Sequence, residues 1–166
     1  MPIETNYIFW IIITAVVVIF LLDQISEFLN LKALVPKVPE EFKNVFNDEK
    51  YAESLRYTKT TTKFGFLDST FSLFIFLIFW LTGGFGWLDQ IVSNWGQGPI
   101  MSGLIFFGLL IIASSILGLP FELYETFKIE AEFGFNNTTL KTFITDKFKG
   151  LIIGGIIGIP VLSLIL

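Results

Sequence analysis

Four long apolar stretches, separated by charged ones, set the plan of this chain. No Asp, Glu, Lys or Arg falls within Thr5 to Leu22, Ser69 to Leu88, Gln90 to Phe121 or Gly150 to Leu166. A helix of about 20 apolar residues crosses a hydrocarbon core of roughly 30 Å, so these runs predict membrane spans at about 5-24, 67-88, 98-120 and 150-166. The polar stretches carry helical patterns too. Phe42, Val45 and Phe46 recur at helical spacing, and Asn47-Asp48 offers an N-cap for a helix with Tyr51, Leu55, Thr58 and Thr62 along one side. Such a helix runs from Asp48 into the second span and projects from the membrane; the other reading is an amphipathic stretch lying on the bilayer surface. Acidic and basic residues are mixed between Lys32 and Lys63, which favours the projecting helix.

Proline and glycine punctuate the second half. Pro120 is expected to bend or interrupt the third span, because it lacks an N–H and clashes with the preceding turn. Past it, Glu122, Glu125, Lys128, Glu130 and Glu132 alternate with Phe121, Tyr124, Phe127 and Phe133 in an amphipathic extension. Gly134 suits a left-handed C-terminal cap, and Thr138 or Thr139 suits the N-cap of the next helix. Gly150, Gly154 and Gly158 repeat every fourth residue, a stripe that lets helices pack closely in lipid, and Pro160 adds an expected kink.

Composition makes the membrane reading firm. Hydrophobic residues are 53% of the 166, and 20 are Phe, too apolar for a soluble domain of this size. The fold class is therefore an all-α membrane protein, with about four transmembrane helices and long cytoplasmic helical extensions. Charge gives an orientation: all 11 Lys and Arg lie between Lys32 and Lys63 or between Lys128 and Lys149. By the positive-inside rule, loops 23-66 and 121-149 are cytoplasmic and the N-terminus is outside, with Trp10, Trp80, Trp87 and Trp95 at the outer ends. The first span has no basic leader and no cleavage site before Asp23-Gln24, so it is read as a mature helix. A net charge of −4 with dispersed basic residues gives no support for nucleic-acid binding.

Two blocks of residues carry a family likeness. Pro120-Phe121, Tyr124, Phe127, Ile129-Glu130, Phe133-Gly134-Phe135-Asn136, Thr139, Phe143, Asp146 and Lys149-Gly150 form one; Val38-Pro39-Glu40-Glu41-Phe42-Lys43, Glu49-Lys50-Tyr51, Tyr57-Thr58 and Thr62-Lys63-Phe64-Gly65 form the other. In this order and spacing the chain resembles the CAAX prenyl protease family, integral-membrane zinc metalloendopeptidases. The resemblance implies a helical chamber whose walls and cytoplasmic entrance are built partly by this region. Its implied partners are the lipid bilayer and prenylated or other membrane-protein substrates. It also implies structural or chamber-lining roles for Pro120, Tyr124, Phe127, Glu130, Phe133, Gly134, Phe135 and Asn136. Glu130 and Asn136 stand out as expected buried polar ties, since their neighbours are apolar.

The chemistry of that family is absent from these residues. An H-E-x-x-H zinc helix needs two imidazoles one turn apart with a glutamate between them, and the chain has no His. No catalytic or metal-ligating residue is assigned, and no cofactor belongs to this chain; zinc is expected in a full-length protein. Serine chemistry of the rhomboid type lacks its His, aspartyl chemistry lacks G-x-G-D, and the glutamate-type E-E-x-x-x-R pattern fails because Val45 stands at its last position. The chain thus reads as residues 1-166 of an N-terminal membrane domain, truncated before a missing C-terminal catalytic region. The alternative is a stand-alone, non-catalytic membrane scaffold or regulator.

Overall fold

The computed structural model describes residues 6–36, 38 and 47–166. The expected helix carrying Phe42, Val45 and Phe46 lies outside them. Four helices are long and apolar enough to cross a membrane: α1 (Tyr7–Ala33), α2 (Asp48–Leu81), α4 (Pro99–Tyr124, helical onward to Glu130) and α5 (Leu140–Ile165). A short helix, α3 (Gly84–Ser93), joins α2 to α4. The chain is a multi-pass integral membrane protein, and all four spanning helices follow from one constraint. Hydrocarbon offers no partner to a backbone N–H or C=O, so each crossing segment must satisfy its own.

Helix boundaries follow side chains that substitute for missing backbone partners. The Asn6 carboxamide accepts the Phe9 N–H at 2.9 Å, and that of Asn47 accepts the Glu49 N–H at 3.0 Å. Asp48 and Glu49 in the first turn of α2 also complement its dipole. At 34 residues α2 is about 50 Å long, so its charged first part projects beyond a bilayer core. The same helix continues into the span without a break, as its pattern implies.

The apolar run from Ser69 to Leu88 is not one helix, however. α2 stops at Leu81, and Gly83 turns the chain with φ 79°, a conformation that penalises a side chain. α3 then doubles back over the end of the bundle, burying Gly84, Leu88 and Val92 on one stripe. Gly84 lies against the Phe79 ring, and Phe85 packs edge-on to Phe79 and Trp80 at 4.8 and 5.3 Å. Phe9 of α1 reaches Trp80 at 5.9 Å, so this aromatic cluster ties α1, α2 and α3.

Neither proline ends its helix. α4 passes through Pro120 and α5 through Pro160. In a membrane helix the carbonyl freed by a proline is compensated by local adjustment, and helical propensity in lipid is otherwise unopposed. Five residues beyond Pro120 the helix widens into a π-helical turn, Glu125–Glu130.

Few of the described side chains are buried: Leu88 and Val92 at one end, Val38, Ile129 and Phe133 elsewhere. Most of the middle presents Leu, Ile, Val and Phe outward, away from the other described helices. One polar pair near the edge of that zone is satisfied within the bundle. Ser69 donates to the Gly65 carbonyl at 2.7 Å and accepts from Gln24 Nε2 at 3.0 Å, a polar tie between α1 and α2.

Gly83→Ala is expected to lower thermal stability in detergent by about 1 kcal/mol, the cost of a left-handed backbone at a residue with a Cβ. Gly86→Ala, in open space within α3, should leave it unchanged or raise it.

Candidate functional site

At the end of the bundle that carries the lysines and arginines, the α2 extension, the π-helical turn and the start of α5 converge. Tyr57 is the hub. Its ring meets Phe133 at 5.2 Å and Phe135 at 4.8 Å, both edge-to-face. Two turns deeper along α2, Phe64 stacks on Tyr124 at 5.0 Å, and Phe121 lies 4.9 Å from Phe71 and 5.9 Å from Phe64. On the other side Phe127 contacts Phe143 of α5 at 5.7 Å. Phe121, Tyr124, Phe127 and Phe133 therefore all face neighbouring helices.

Charges trace the same contacts. Arg56 pairs with Glu132 at 3.1 Å and lies 4.9 Å over the Phe133 ring; Lys147 pairs with Glu122 and sits 5.6 Å over Phe143. Arg56 and Glu132 are 64% and 60% exposed, which limits their bridge to less than about 1 kcal/mol. Each aromatic pair contributes about 0.5–1.5 kcal/mol beyond its area burial. Ring packing, not ion pairing, therefore holds α2 to this turn.

The turn itself is built by glycine and backbone. Gly134 adopts φ 74°, and the N–H groups of Phe135 and Gly134 reach back to the Glu130 and Ala131 carbonyls at 2.8 and 3.3 Å. This is the double bond pattern of a Schellman ending, which uses carbonyls the helix leaves free. Asn136 adds its N–H to the Glu130 carbonyl at 3.2 Å, while its side chain accepts the Thr138 N–H at 2.6 Å. Thr139 then caps α5 by accepting the Thr142 N–H at 3.2 Å. Glu130 and Asn136 are only half-buried, and the described residues contain no buried polar side chain. They act locally: the Glu130 backbone carbonyl, not its carboxylate, collects the turn, and Asn136 orders the link to α5.

Pro120 lies within α4, above the Phe121 contacts. Gly150, Gly154 and Gly158 meet no neighbour: a Cβ at any of them would find nothing within 4 Å. The close helix approach in this half occurs instead at Gly103, where Leu166 lies 2.5 Å from where a Cβ would stand. The sequence pattern placed Glu122 and Glu132 on the amphipathic extension but did not pair them with Lys147 and Arg56, because that pairing depends on tertiary placement. Tyr57 and Phe64 carried a usable signal, since a spacing of seven puts both on one helix face.

The chain has neither His nor Cys, and the described residues hold no group of three His, Cys, Asp or Glu side chains able to bind a metal. These residues do not fit a zinc ion.

Comparison with known proteins identifies the family. The CAAX prenyl protease N-terminal family, described as five membrane helices, matches residues 27–166. The mouse CAAX prenyl protease 1 homolog is 33% identical over 137 residues, 78% of this chain and 29% of that protein. The Arabidopsis thaliana homolog is 30% identical over 163 residues, 90% of this chain and 37% of that protein. The crystal structure of S. mikatae Ste24p superposes with a TM-score of 0.82 at 28% identity, covering 96% of this chain and 39% of that one. The chain thus spans about a third of the length of the curated relatives it matches.

Tyr57→Ala is expected to destabilise the detergent-solubilised protein by about 1–3 kcal/mol, since it removes two ring contacts. Glu132→Gln should cost less than about 1 kcal/mol. Equal losses in thermal unfolding would mean that the ion pair carries the contact.

Proposed function

Because this chain belongs to the CAAX prenyl protease family, as its N-terminal membrane region, we propose that it forms wall and entrance for a zinc metalloendopeptidase acting on prenylated CAAX proteins or other membrane proteins. The observation that carries the reading is a pairing of presence and absence. The fold of S. mikatae Ste24p is matched over 96% of the chain, while the described residues supply no set of zinc ligands. The zinc helix and its general base would then come from outside these 166 residues.

In this reading the division of labour is physical. The projecting part of α2 and the aromatic turn around Tyr57 frame an entrance whose shape is held by ring packing, so substrate meets a preset opening. Tyr124, Phe127 and Phe133 brace that frame, and Gly134, Phe135 and Asn136 fix the angle at which α5 re-enters the membrane. The stripe of Gly150, Gly154 and Gly158 faces open space here, leaving a close-packing surface for the zinc-bearing part. Basic residues at one end only would place that entrance in the cytoplasm and the N-terminus outside.

The test is the intact mass and zinc content of the native protein purified from its own membranes. The reading expects a product well above 18.8 kDa that retains zinc and cleaves a prenylated peptide. A zinc-free product of 18.8 kDa, inert toward that peptide, would contradict it and point to a non-catalytic scaffold.

A further inference from the structure

Two open depressions on α2 share Lys63 and Leu67 and so join into one groove. The upper part, about 460 Å³, lies between α2 and the π-helical turn, among Lys63, Lys128, Phe64, Tyr124 and Ile129. The lower part, about 560 Å³, runs down the helix past Phe66, Thr70, Phe71 and Phe74 and is almost wholly apolar. We propose that this groove holds an anionic phospholipid, its headgroup phosphate between Lys63 and Lys128 and one acyl chain along Leu67, Phe71 and Phe74.

Charge, depth and access all point to that occupant. Neither Lys63 nor Lys128 forms an ion pair with a described residue, so both ammonium groups are available at the mouth. The one carboxylate lining the upper part, Glu132, is already engaged by Arg56 at 3.1 Å. Lys63 is the last basic residue before the uncharged run of α2, and Lys128 follows the uncharged run of α4, so both stand at headgroup level. From Lys63 to Phe74 the helix rises by about 16 Å. That equals one leaflet, half of a core of about 30 Å. Leu67 and Phe74 are 59% and 63% exposed, so the groove is open along its side among the described helices. A polybasic mouth gains roughly 1 kcal/mol per lysine from an anionic headgroup. The proposal does not depend on the protein's having protease activity.

Native mass spectrometry tests it. The protein is moved into phosphatidylcholine nanodiscs containing a minor fraction of phosphatidylserine, then released and weighed with the lipid it retains. Wild type is expected to keep one phosphatidylserine in preference to phosphatidylcholine. Lys63→Gln with Lys128→Gln should cut that preference on the order of tenfold. The charge-preserving pair Lys63→Arg with Lys128→Arg should keep it, which separates lost binding from lost folding. Lys59→Gln with Lys141→Gln, the same charge loss elsewhere, should also keep it. No preference in wild type, or equal loss in both glutamine pairs, would overturn the proposal. Full displacement of the lipid by a farnesylated peptide with a free carboxylate would overturn it too, by assigning the groove to a peptide.

Discussion

The edge-to-face contacts of Tyr57 with Phe133 and Phe135 settle how the water-facing end of this membrane protein is organised. Inside the bilayer, lipid tails are as apolar as the side chains, so helices gain little from burying Leu against Leu and rely on close packing and hydrogen bonds. Beyond the bilayer the ordinary hydrophobic effect returns. There a large ring that leaves water gains fully, and the α2 extension carries such a ring at the height where the chain turns from the α4 extension into α5. The two flanking ion pairs are at least 40% exposed and add little. Without the ring contacts, α2 would project as an isolated helix end.

The turn that receives Tyr57 depends on backbone geometry more than on side-chain chemistry. Gly134 supplies the left-handed residue, and the Glu130 carbonyl takes two N–H groups, those of Phe135 and Asn136. The π-helical turn ahead of it shifts which faces of the extension meet α2 and α5. Tyr124 reaches one neighbour and Phe127 the other, three residues apart. A bundle end built this way is stiff without being buried. Only Ile129 and Phe133 are shielded from solvent in this segment.

Much of this was legible in the residues themselves. Asn47, Gly134 and Thr139 announced helix ends because capping is local chemistry, written within four residues of the boundary. The uninterrupted α2 and the four apolar spans followed from length and charge. The stop at Gly83 was hidden because the apolar run continues through it to Leu88, and hydropathy does not register a φ of 79°. Of the two effects expected at Pro120, a bend or an interruption, the interruption does not occur, since α4 runs through it to Tyr124. Glu130 and Asn136 looked buried from their apolar neighbours, but those neighbours face other helices. The glycine stripe has the pattern of a packing seam and finds no partner among the described residues. The π-helical turn has no sequence signature that would have revealed it.

A double-mutant cycle on Tyr57→Leu and Phe133→Leu, read by equilibrium unfolding in detergent, addresses the central contact most directly. If the edge-to-face pair joins α2 to the turn, the two changes are coupled by about 0.5–1.5 kcal/mol. Additive losses, with coupling near zero, would mean that the rings merely lie close and that something else fixes the end of the bundle.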